Sequence, residues 1–122
     1  MYFMARKPNQ NINCSLRDWE NKKVLLPQSV IDYHLVDSNH LDELNYINDL
    51  KNNLNKPEIV KQSQHRNNTK LVYIKLINKK HPLLCVVIRY SHFFNSLLGK
   101  KNFIVTFYGT DKPKRGKILW KK

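Results

Sequence analysis

Two histidines and a small set of strand residues are the side chains in this sequence best suited to chemistry on a phosphate. His34 and His40 lie six positions apart around the predicted start of a helix. Imidazole is the side chain that exchanges a proton near neutral pH without help from a metal. In the second half, side chains that alternate along a strand set Tyr73 and Lys75 on one face, and Val72, Ile74 and Leu76 on the other. The same alternation separates Thr106 and Tyr108 from an apolar set of Phe103, Val105 and Phe107. If the two strands lie close together, Tyr73, Lys75, Thr106 and Tyr108 share one sheet face. Lysine supplies a compact cation, threonine a short donor, and tyrosine a surface on which a base stacks or a hydroxyl that donates to phosphate. An ordinary solvated sheet face carries the same residue types, so the palette alone leaves both readings open. His65, His81 and His92 fall in polar or loop segments and read as structural or solvated.

Charge gives the palette its context. From Ile59 onward there are 15 Lys and Arg against a single acid, Asp111, whereas residues 1–58 hold 7 bases and 8 acids. The halves contribute +14 and −1 to the formal +13. A coding bias toward Lys and Asn would not strip acids from one half only. A local positive field interleaved with aromatic residues is the footprint of a surface that meets a phosphate backbone. Arg66, Lys112, Lys114 and Arg115 are the cations placed to hold that backbone, with Tyr73 or Tyr108 stacking a base.

Other chemistries find less support. Cys14 and Cys85 are the only cysteines and have no CxxC spacing, which suits neither a disulfide scaffold nor a zinc site. No histidine pair has the HExxH spacing, and the basic half has no carboxylate cluster for magnesium. The reading is therefore of metal-free chemistry with no cofactor. No apolar run approaches the ~20 residues of a membrane span, and the apolar-then-basic start is the reverse of a signal peptide. A cytoplasmic protein with no membrane partner is expected.

The positioning elements follow from periodicity. A chain of 122 residues suits one domain. Residues 1–22 are polar and read as a loosely ordered arm, with 23–122 as the single domain. A short edge strand over 23–26 ends at Pro27, and a helical turn or two follows over 28–35. Leu41, Leu44, Ile47, Leu50 and Leu54 predict a helix over 41–54, capped by Ser38 or Asn39 and stopped by Pro57. Strands are expected over 71–77, 83–90 and 102–108, with a hairpin loop at 78–82 and a short last strand around 118–120. The apolar loop 91–101 reads as a plug at the edge of the core, through Phe93 and Phe94, or as a flap over the sheet. Helices first and strands after give an α+β fold: amino-terminal helices packed on a twisted antiparallel sheet of about four strands.

The order of these parts resembles a known group. His34 and His40, the helix to Leu54, Asn55-Lys56-Pro57-Glu58-Ile59-Val60, Tyr73-Ile74-Lys75, Thr106-Phe107-Tyr108-Gly109-Thr110 and Lys114-Arg115-Gly116-Lys117-Ile118-Leu119-Trp120 are similar to the phage-type branch of the barnase, EndoU, colicin and RelE-like nucleases. The likeness spans roughly Trp19 to Trp120. It implies a toxin or phage-associated endoribonuclease that needs no metal and uses the 2′-hydroxyl of RNA to form a 2′,3′-cyclic phosphate. The helix histidine of the group corresponds to His34 or His40, the strand cation to Lys75 and the last-strand hydroxyl to Thr106. An acidic antitoxin or immunity protein is then a further partner. The alternative is a non-catalytic nucleic-acid-binding module of the same fold.

Overall fold

The computed structural model describes residues 12–33, 45–91 and 101–122. Among these residues seven strands form one sheet: β1 (Ile12–Arg17), β2 (Lys23–Pro27), β3 (Ile59–Gln62), β4 (Thr69–Lys75), β5 (Leu83–Arg89), β6 (Phe103–Thr110) and β7 (Ile118–Lys121). Their spatial order is β1-β2-β6-β5-β4-β3-β7. Every neighbouring pair is antiparallel except β2 and β6, which run parallel and make the sheet mixed. Two short helices stand among the described residues, α1 (Gln28–Asp32) and α2 (Ile47–Asn53). The expected architecture of helices on a four-stranded antiparallel sheet is thereby corrected: the sheet dominates, and the helices are small covers on one face.

The physical reasons are local. Ile12, Cys14 and Leu16 alternate with Asn13, Ser15 and Arg17, and the structure half-buries the first set while exposing the second. That is strand alternation, so residues 12–17 pair with β2 rather than forming a loose arm. In the predicted 41–54 helix, residues 41–44 lie outside the described residues, and α-helix runs only from Ile47 to Asn53. The segment carries Asn48, Asn52 and Asn53, whose side chains compete for backbone hydrogen bonds and disfavour helix interiors. Leu50 and Leu54 are nonetheless fully buried.

Alternation divides the sheet into two faces. Val24, Leu26, Val60, Val72, Ile74, Leu84, Val86, Ile88, Ile104 and Phe107 form the main core with Val30 of α1, Tyr46, Leu50 and Leu54. The second face has a smaller cluster, in which Leu71, Tyr73 and Cys85 are buried against Ile59, Leu83, Val87 and Tyr108. A bulge offsets the β5–β6 register, because Val87 pairs with Thr106 but Ile88 pairs with Ile104. The extra residue turns Ile104 inward and leaves Val105 39% exposed, so only Phe107 of the expected set Phe103, Val105 and Phe107 is core.

One connection determines how the second face is used. β6 and β7 are separated by β5, β4 and β3, a distance of roughly 19 Å at ~4.8 Å per strand spacing. Residues 111–117 bridge it, within reach of a chain that extends at most about 3.3 to 3.6 Å per residue, with bends at 111–112 and 115–116. This crossing segment lies over the second face. The Lys114 amide donates to the Tyr73 hydroxyl at 2.9 Å, Lys61 Nζ donates to the Lys114 carbonyl at 2.8 Å, and the Gln62 amide donates to the Lys117 carbonyl at 2.8 Å. Gly116 fits because its φ is +154° and a Cβ there would sit 2.6 Å from the Gln62 carbonyl oxygen.

Candidate nucleic-acid interface

The strand registers place Lys121, Ile59, Tyr73, Cys85 and Tyr108 in one row across five strands of the second face. The crossing segment runs over this row. Lys114 Nζ lies 5.4 Å from the centroid of the Tyr108 ring, a cation–π contact. Both tyrosine hydroxyls hydrogen-bond the Cys85 sulfur. Burial pushes the Cys85 thiol up against these hydrogen bonds and the nearby Lys114 charge, which leaves it protonated and a poor nucleophile. Burial also raises the Tyr108 phenol. Cys14 packs against the opposite, core face, and both cysteines are free.

Of the two tyrosines that the sequence offers for stacking a base, Tyr73 or Tyr108, Tyr73 is fully buried beneath the segment. Burial raises its phenol to about 12, opposed by the hydrogen bond from the Lys114 amide. A phenol with a raised folded pKa stabilises the fold below its unfolded value of about 10, and this is lost as pH rises through about 12. Stability is accordingly expected to fall between about pH 10 and 12, and Tyr73→Phe to flatten that fall; urea titrations followed by circular dichroism measure both slopes. Equal slopes would remove Tyr73 as the source.

Lys75 and Thr106 do share the second face, as alternation predicted, but they do not meet. Lys75 pairs with Leu83, which pairs with Thr110, whereas Thr106 pairs with Val87, which pairs with Leu71. Four residues along the sheet and two strands across it amount to about 13 Å and about 10 Å, too far for both to touch one phosphate. Thr106 borders a separate hollow beside α1, with Ser29, Val30 and Tyr33. His34 and His40 lie outside the described residues. His65 is in the exposed β3–β4 turn. His81 pairs with Asp111 at 3.0 Å, and its ring packs against Gly109 on the core face.

The cations do gather. Lys61, Lys75, Arg89 and Lys121 project from the strands on the second-face register, and Lys112, Lys114, Arg115 and Lys117 ride on the crossing segment. Among the described residues none of them forms an ion pair; the pairs present are Lys22 with Glu20, Lys79 with Asp49, His81 with Asp111 and Lys122 with Glu58. Arg66 lies at one end, in a turn whose carbonyls at Arg66, Asn67 and Thr69 all accept from the Gln62 amide group. The sequence pattern does not single out Lys61, Arg89, Lys117 and Lys121, although strand alternation marks Lys61 as a partner of Leu71 once β3 is recognised.

Among the described residues no group of three His, Cys, Asp or Glu is placed to hold a metal ion. No helix among them is long and apolar enough to cross a membrane. No protein-family model, curated protein or solved structure matches the chain.

Proposed function

We propose that this protein binds single-stranded nucleic acid, RNA in particular, along its second sheet face. The observation that carries the reading is the set of cations on that face and its crossing segment, none of which is paired with an acid among the described residues. Such a field attracts a polyanion by releasing the counterions condensed on it. The crossing segment forms a ridge over the sheet. A flexible strand can follow the cations on both flanks of the ridge, whereas a rigid duplex meets only its crest. Tyr108, half-buried beside Lys114, offers a ring edge along the path. The separation of Lys75 from Thr106 favours binding over cleavage as the role of this face.

The test is fluorescence anisotropy with a short labelled single-stranded RNA in EDTA, followed by inspection of the recovered RNA. Affinity is expected to drop steeply with salt, with a logarithmic slope of about −0.7 for each phosphate engaged, and the RNA to be recovered intact. Absent or salt-independent binding would overturn the proposal. Fragments ending in cyclic phosphate would replace binding alone with the cleavage that the resemblance implies.

A further inference from the structure

Where β4 ends, two hollows meet at the rim of the second face. The larger, of about 520 Å³, has Ile59, Pro82, Leu83 and Pro113 as its apolar lining and Lys75 and Lys121 at its margin. The smaller, of about 240 Å³, opens on the α2 side of the same rim and is bordered by Asn53, Lys56, Ile74 and Ile77. Glu58, Lys75 and Lys122 line both. Among the described residues Glu58 is the only acid lining either hollow, and Lys122 holds it at 3.4 Å. The larger volume falls in the range of small-molecule sites, which combine an apolar lining with a few polar groups that fix orientation.

We propose that these joined hollows are a subsite for a nucleotide that carries a phosphomonoester, the phosphorylated end of the strand bound along the second face. The proposal rests on the nucleic-acid reading and adds to it which part of the ligand is recognised. The base covers Ile59, Leu83 and Pro113, and the phosphate sits at the junction, reached by Lys75 and by Lys122 as it exchanges Glu58 for the new anion. Lysine suits this role because its ammonium is a compact point charge on a long stem. A phosphodiester carries one negative charge and a monoester between about 1.5 and 2. A junction lined by Lys75 and Lys122 against Glu58, with Lys121 in the larger hollow and Lys56 in the smaller, therefore selects the end of a strand over its interior. The position agrees: Pro113 belongs to the crossing segment, so a strand that follows Arg115 and Lys114 arrives at this rim.

Three forms of one short RNA decide the matter, carrying a 5′-phosphate, a 3′-phosphate or hydroxyls at both ends, with a free nucleoside monophosphate as competitor. One phosphorylated form is expected to bind about tenfold more tightly than the hydroxyl form, and the form that does so identifies the end. Lys75→Ala combined with Lys121→Ala lowers affinity for all three and brings their ratio close to one. Glu58→Gln moves the ratio the other way, raising the preference about two- to threefold, a gain that a misfolded variant would not show. Equal affinity of the wild type for all three forms would overturn the subsite while leaving the binding face intact. Failure to bind any strand would overturn both.

Discussion

Lys112→Glu, Arg115→Glu and Lys117→Glu, introduced together, are expected to lower the affinity for single-stranded RNA by roughly a hundredfold or more at physiological salt. All three side chains are exposed on the crossing segment and unpaired among the described residues. The triple variant should therefore fold like the wild type. Loss of three phosphate contacts should also reduce the magnitude of the salt slope by about 2. The reversed charges lie on one short stretch, within a Debye length of the bound backbone, so they add repulsion to the lost contacts. Lys51→Glu is the control, because Lys51 is exposed on α2, over the opposite face. It changes net charge in the same direction and is expected to alter affinity by less than about threefold. If Lys51→Glu weakened binding as much as any one of the three, net charge rather than this face would be responsible.

The chain announces some of this arrangement and conceals the rest. The unbroken apolar run of β5 and the alternation of Val72 and Ile74 against Tyr73 and Lys75 are local patterns, and the structure keeps them as read. The concentration of bases after Ile59 is equally plain. Hidden features depend on partners distant in sequence. The parallel pairing of β2 with β6 joins Leu25 to Phe103 and has no local signature. The bulge that exposes Val105 is one inserted residue, and it reverses face assignments on one side of itself only. Tyr73 reads as a surface aromatic because its neighbour Lys75 is exposed. Its cover is the backbone of Lys114, 41 residues away, and that contact exists only because β7 docks beside β3 instead of beside β6. The expected meeting of Lys75 and Thr106 failed for a related reason. Alternation assigns a face, whereas position along the face is set by register, and register is fixed by pairing.

Asp18→Ala is expected to destabilise the fold by about 3 to 5 kcal/mol, although Asp18 lies in the polar segment that reads as an arm. Its carboxylate is 1% exposed and accepts from the Tyr90 hydroxyl at 2.7 Å, the Glu20 amide at 2.9 Å and the Lys22 amide at 2.8 Å. It thus shapes the turn between β1 and β2 and fastens that turn to the residue that follows β5. Around the same point Trp19 meets Tyr90 edge-on at 6.4 Å, and Lys70 Nζ lies 4.5 Å from the Tyr90 ring centroid. Alanine would leave three donors without their acceptor in a site with little access to water, the costly way to break a hydrogen-bonded group. Asn at this position keeps one acceptor oxygen but turns an amide toward a donor, so about half the loss is expected. Tyr90→Phe should cost less than Asp18→Ala, and the double variant less than the sum, because both remove the same bond. Urea denaturation of the four proteins measures the cycle. A loosely attached arm would show changes within about 0.5 kcal/mol for every variant, and that result would detach the first hairpin from the core. Below the melting transition the Asp18 variants should still bind RNA, since the carboxylate packs beside the main core and not on the basic face; a binding loss in folded protein would show that the two faces are mechanically coupled.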